Sequence, residues 1–157
     1  MQGAEHRSRR AHTLVIGYGN PLRGDDGFGM AVAEQVSRLL ASETVAVIAC
    51  QQLTPELAEP ISAVDTVVFV DVRVGEPIGL IECENLSPNP SASSVTHSLE
   101  PAGLLVLARE LYGRVPQNAF LLTVRTTHFQ YGEQLSPEVE RAIPEAVERI
   151  RQILSGY

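Results

Sequence analysis

Three of the chain's four aspartates fall where apolar runs end: Asp25 and Asp26 close the turn GYGNPLRGDDGFG, and Asp71 follows the run VVFV. His97, in VTHSL, lies just ahead of a helical pattern that would return to the same region. Two carboxylates and one imidazole make a mixed oxygen and nitrogen set suited to nickel, zinc, cobalt or manganese. Three protein ligands also leave positions open for reaction or recognition. Each member has a plainer role as well. One of the aspartate pair would cap the helix that follows, Asp71 would bind the amides of a local turn, and His97 would be a hydrogen-bonded loop residue. Only one cap is needed, so the pair leaves a spare carboxylate.

The elements that must bring these residues together are legible in outline. Thr13 to Gly17 is a short apolar run bounded by glycine, and Phe28, Val32, Val36 and Leu39/Leu40 recur at helical spacing after Asp26. Thr44 to Ala49 is a second β-branched run. It leads to Thr54-Pro55-Glu56, which opens a short helix expected to end before Pro60. Thr66 to Val70 is apolar on both faces, as a central parallel strand covered by helices should be, and is expected to end at Asp71. Ile78 to Cys83 reads as a further strand, antiparallel because its connection is too short for a crossover helix. Asn85 to Ser94 has the composition of a surface loop.

Ser98 and Pro101 open another helix, which Gly113 stops, and Ala119 to Val124 is the last strand. In the final helix Ser136 is the expected cap, Val139, Ala142/Ile143, Ala146/Val147, Ile150 and Ile153/Leu154 form one stripe, and Pro144 should bend it or disturb its first turn. Strands alternating with helices imply an α/β fold: a three-layer α/β/α arrangement around a mostly parallel sheet of about five strands, one of them possibly antiparallel. Ligands of such folds lie outside the carboxyl ends of the strands, where Asp26, Asp71 and His97 would converge.

Composition narrows the chemistry further. At 157 residues the chain suits one buried domain, residues 12–157, preceded by a flexible tail, residues 1–11, that holds Arg7, Arg9 and Arg10. The net charge of -7 leaves an acidic body without a basic stripe, which argues against a nucleic-acid partner. No apolar run approaches the roughly 20 residues that cross a bilayer, and no signal peptide precedes the first strand, so a cytoplasmic location is expected. Cys50 and Cys83 have no CxxC spacing and read as buried reduced thiols. The chain has no lysine, which excludes a Schiff base, a Ser/Lys dyad and a Walker lysine. A dinucleotide site is disfavoured because Leu22 stands where GxGxxG needs its third glycine, and the acidic pair would repel a pyrophosphate. No GxSxG elbow is present. His128, Arg23 and Arg73 lie near the same strand ends. They read as a structural or supporting histidine and as surface charges.

The combination of GYGNPLRGDDGFG, VVFVDVR and VTHSL resembles the hydrogenase maturation endopeptidase family over essentially the whole span from Thr13 to Leu154. The resemblance carries the family's metal-contacting and catalytic residues onto Asp26, Asp71 and His97, with Asn20 and Asp25 in its first loop. It implies a hydrolase that removes the C-terminal extension from the large-subunit precursor of a [NiFe] hydrogenase after nickel has been inserted. The nickel would be carried by the substrate, so the isolated protein need hold no metal. Where many members have an Asp-Gly-Gly type loop, this chain has Gln51 and Gln52, and QLTPEL resembles the branch serving soluble, NAD-coupled bidirectional hydrogenases. The same ligand set would also serve a nickel-dependent assembly chaperone of the large subunit that docks without cutting. That is the alternative the resemblance leaves open.

Overall fold

A computed structural model describes residues 12–89, 99–132 and 134–156 of the chain. One five-stranded sheet organises them, in the order β2-β1-β3-β5-β4. Its strands are β1 (Thr13–Tyr18), β2 (Val45–Cys50), β3 (Thr66–Val74), β4 (Ile81–Asn85) and β5 (Asn118–Thr126). Four helices accompany it: α1 (Phe28–Leu40), α2 (Ala58–Ser62), α3 (Pro101–Tyr112) and α4 (Pro137–Gly156). Pairs β1–β2, β1–β3 and β3–β5 are parallel, and β4 alone runs antiparallel, against β5. The expected mixed α/β sheet is therefore present.

The alternation of side chains along each strand divides the core into two layers. Val15, Val68, Val70, Phe120, Leu122 and Val124 pack under α1 and α4, which bring Phe28, Val32, Val36, Val139, Ala146 and Ile150. On the other face Leu14, Ile16, Val67 and Phe69 pack under α2 and α3, which bring Ala58, Ile61, Leu104, Leu105 and Ala108. The central strands β1 and β3 have no exposed residue before Tyr18 and Asp71, which is why their sequences show continuous apolar runs. Chain order reverses between them, since β1 leads outward to β2 on one side and β3 to β5 and β4 on the other. That reversal creates a crevice at their carboxyl ends.

Several boundaries differ from the sequence expectation. Strand β3 does not stop at Asp71 but continues to Val74, because β5 keeps pairing with it after β1 has ended. Strand β4 begins at Ile81 rather than Ile78. Pro60 does not end its helix: a 3-10 turn over Pro55–Leu57 runs into α2, and Pro60 sits in the first turn of that helix, where its missing N–H is not needed. Helix α4 passes through Pro144 unbroken. The carbonyl that loses its donor belongs to Glu140, an exposed residue open to solvent. Gly113 stops α3 as expected, in the left-handed conformation.

Candidate active site

The crevice is built by how closely α1 approaches β1. A Cβ on Gly17 would overlap the carbonyl oxygen of Gly29, and one on Gly19 would overlap that of Asp26. Glycine at these positions lets the loop fold flat over the strand end. Asn20 then fixes the loop: its Oδ1 accepts the Leu22 backbone amide at 2.9 Å, and its backbone N–H donates to Asp26 Oδ2 at 2.7 Å. The Asp26 amide donates to the Arg23 carbonyl at 3.1 Å. Asp26 is thus held by the turn on both its backbone and its side chain.

The two adjacent aspartates have separate fates. Asp25 is fully buried. Its carboxylate accepts the Thr126 hydroxyl at 2.5 Å, the Ser136 amide at 2.7 Å and the Ser136 hydroxyl at 2.8 Å, tying the loop to the end of β5 and the start of α4. Ser136, expected as a helix cap, spends its hydroxyl on Asp25. Asp25 therefore caps neither helix, and Asp26 is left half-buried at the crevice.

Asp71 lies one residue beyond the last β1–β3 pair, on the face that also carries Val67 and Phe69. Its Oδ1 accepts the Val72 amide at 2.7 Å, and Tyr18, the last residue of β1, is its neighbour across the end of the β1–β3 pair. Burial pushes its pKa up to about 6; the Val72 amide and the nearby Tyr18 hydroxyl oppose the rise and the Asp26 charge adds to it. Asp26 and Asp71 are therefore near enough to repel one another. Tyr18 has its own proton affinity raised, first by burial and then by the charge of Asp71, with a smaller contribution from Glu100. It remains a donor. Glu100 immediately precedes α3, so the amino end of that helix lies at the same crevice.

His97 lies outside the described residues, as do residues 1–11. His128 buttresses the first loop: its carbonyl accepts the Asp25 amide at 3.0 Å, its amide donates to Thr126 Oγ1 at 3.0 Å, and its ring lies against Gly24. Arg73 pairs with Glu84 at 2.8 Å and Arg23 is exposed, as expected of surface charges. Asp65, the fourth aspartate, pairs with His12 at 3.2 Å at the opposite ends of the strands. Among the described residues no group of three His, Cys, Asp or Glu side chains is set to hold a metal ion. A groove of about 630 Å³ beside α1 is lined by Pro21, Gly27, Met30, Val47, Ala49 and Leu135, and neither carboxylate of the pair lines it.

Sequence reasoning missed Tyr18, Thr126 and Ser136. Tyr18 had a signal: in β1 it shares a face with Leu14 and Ile16, and the neighbouring strand carries Asp71 at the next step of the register.

The raised Asp71 pKa makes a stability prediction. In the unfolded chain an aspartate ionises near pH 4, whereas in the fold Asp71 holds its proton to about 6. Between those values the folded state binds more protons, so stability falls as pH rises through this window and then levels off. Asp71→Asn should remove this component, and thermal melts from pH 4 to pH 7.5 should show the variant gaining on the parent across the window. A constant difference would contradict the assignment.

No family model matches the chain, and no curated protein matches its sequence. Solved structures do match its fold. The [NiFe] hydrogenase maturation protease HycI from Thermococcus kodakarensis KOD1 is 25% identical, with 99% of each chain covered and a TM-score of 0.74. The hydrogenase 2 maturation peptidase from a Thaumarchaeota archaeon is 27% identical, with 91% of this chain and 97% of that one covered and a TM-score of 0.69. The hydrogenase maturating endopeptidase HybD from E. coli is 21% identical, with 92% and 94% covered and a TM-score of 0.74. Over nearly its whole length, then, this chain has the fold of the hydrogenase maturation endopeptidases.

Proposed function

We propose that this protein is a hydrolase, an endopeptidase that removes the C-terminal extension of a [NiFe]-hydrogenase large-subunit precursor after nickel insertion. Asp26, Asp71 and His97 are the residues assigned to meet the substrate-held nickel and carry the cleavage. The observation that carries this reading is the pairing of Asp26 with Asp71 at the switch point of the sheet, in a fold shared with maturation proteases. Support for His97 comes from its place in the chain. It stands in VTHSL, the third of the motifs that carry the family resemblance.

Two carboxylates that repel one another form a poor resting state, and a cation brought by the substrate relieves that repulsion. Engagement is thereby coupled to metal loading: a precursor without nickel offers nothing to offset the repulsion. Nickel presented there supplies a Lewis acid for the scissile carbonyl. Asp71, with its proton affinity lifted toward neutrality, suits acceptance of a proton from the attacking water.

The run Gln52 to Leu57 assigns the substrate, within this activity, to the soluble NAD-coupled bidirectional hydrogenases. The cytoplasm is the assigned compartment, in keeping with two free cysteines. No described helix is long and apolar enough to cross a membrane. Intact-mass measurement of the precursor after incubation tests the activity: the nickel-loaded form should lose its C-terminal extension and the nickel-free form should stay whole. Stable binding of the loaded form with no loss of mass would favour the chaperone.

A further inference from the structure

We propose that the open edge of β2 takes the substrate as an added strand: an extended, apolar stretch of the precursor beside the bond to be cut pairs with the backbone of Val47 and Ala49 and lays alternate side chains in the groove beside α1. The inference rests on the peptidase reading, which makes the substrate a polypeptide, and says where that polypeptide lies.

The direction of the backbone groups picks out these residues. β2 ends the sheet and pairs only with β1, so its other edge is open among the described residues. Thr44 and Cys50 turn their carbonyls to β1, where they accept the Thr13 and Gly19 amides at 3.0 and 3.2 Å. Backbone groups alternate in direction along a strand, so Ala46 and Ile48 also face β1, while Val45, Val47 and Ala49 face outward. Ser42 closes off Val45, exchanging both backbone bonds with it at 3.2 and 3.3 Å. Val47 and Ala49 have no such partner among the described residues. Edges of this kind are commonly blunted by a charge, a proline or a bulge, and the run VAVIAC, paired residue for residue with β1, has none of them.

The same two residues line the groove of about 630 Å³, with Met30 of α1 and Leu135 among its other walls. A strand laid along this edge sends every second side chain into that apolar space. The intervening side chains fall on the opposite face, where Ala46 borders a second hollow of about 550 Å³ with Leu14, Pro60 and Val64. Main-chain pairing with hollows for alternate side chains is how sheet edges bind peptides. The groove also adjoins the carboxylates. Pro21 and Gly27 line it, and they follow directly on Asn20 and Asp26, which the Asn20 backbone N–H joins. Cys50, next after Ala49, is the register partner of Tyr18, which stands beside Asp71. A chain paired at Ala49 therefore arrives at the crevice, and this continuity favours the substrate over a second copy of the protein.

Pulsed amide exchange on the parent tests the proposal. The Val47 and Ala49 amides should exchange freely in the protein alone and slow about tenfold or more when nickel-loaded precursor is bound and labelled before turnover. Ala49→Arg, at an exposed position, and Ala49→Pro, which removes one outward N–H, should each raise KM for nickel-loaded precursor about tenfold and leave kcat within about twofold. Equal exchange with and without the precursor would overturn the proposal, as would an unchanged KM in Ala49→Arg. Slow exchange in the protein alone that is lost on dilution would give the edge to a second copy and overturn it too. If the parent left the precursor whole, the peptidase reading would fail, and exchange at Val47 and Ala49 with the precursor bound would still decide whether the edge takes a strand.

Discussion

Asp71→Ala should slow C-terminal processing of nickel-loaded precursor by about 10²- to 10⁴-fold, and Asp26→Ala and His97→Ala should do the same. The fold should survive all three changes. Asp71 sits in a setting that penalises its charge, as its raised proton affinity records, so removing the carboxylate relieves the core edge of an unfavourable ion. Asp26 donates nothing to the core. Its carboxylate accepts one amide, from Asn20, and the turn is also held by the Leu22, Arg23 and Gly24 backbone bonds. A residue that costs stability and sits in a crevice is what a functional position looks like energetically. Single-turnover cleavage and thermal melts, measured on the same preparations, separate the two effects. Processing at the parental rate in all three variants would refute the site.

The neighbouring residue should behave in the opposite way. Asp25→Ala should destabilise the fold by about 3–5 kcal/mol, because one fully buried carboxylate accepts three hydrogen bonds and its loss strands the donors of Thr126 and Ser136. For a domain of this size that corresponds to a fall of roughly 10 °C or more in Tm. Asp25→Asn should restore part of the loss, since its Oδ1 still accepts the Ser136 amide and its NH2 can donate to the Thr126 and Ser136 hydroxyl oxygens. Two adjacent aspartates thus divide the labour: Asp25 holds the loop in place, and Asp26 is presented by it. Parental melting of Asp25→Ala, read by calorimetry, would contradict this division.

What the sequence disclosed follows from how local each feature is. The helical spacing of Phe28, Val32 and Val36 and the unbroken apolar runs of β1 and β3 are read within a few residues, and these elements appear where expected. The extension of β3 past Asp71 carries Arg73 and the exposed Val74, which have no apolar pattern to announce a strand. Only the β5 ladder keeps them extended. Pro60 read as a stop because proline ends most helices, and the preceding 3-10 turn, which puts it in a first turn instead, is set by how the segment packs.

The site was legible to the same degree. Asp26 and Asp71 stand out by residue type at strand ends, and their proximity was expected from the fold class. The task of Asp25 was hidden because its partners lie 101 and 111 residues away, so nothing near it in sequence distinguishes a latch from a cap. Tyr18 was hidden for a related reason. A tyrosine ending a strand is ordinary until the register sets it beside a half-buried carboxylate.

X-ray absorption at the nickel edge tests the central claim most directly, that the substrate's nickel is met by this carboxylate pair. Nickel-loaded precursor, frozen with a stoichiometric amount of the protein before turnover, should gain oxygen or nitrogen neighbours around its nickel. Asp26→Ala and Asp71→Ala should each diminish that gain. A nickel spectrum that is the same with and without the protein, while the precursor is nonetheless bound and cut, would contradict the account.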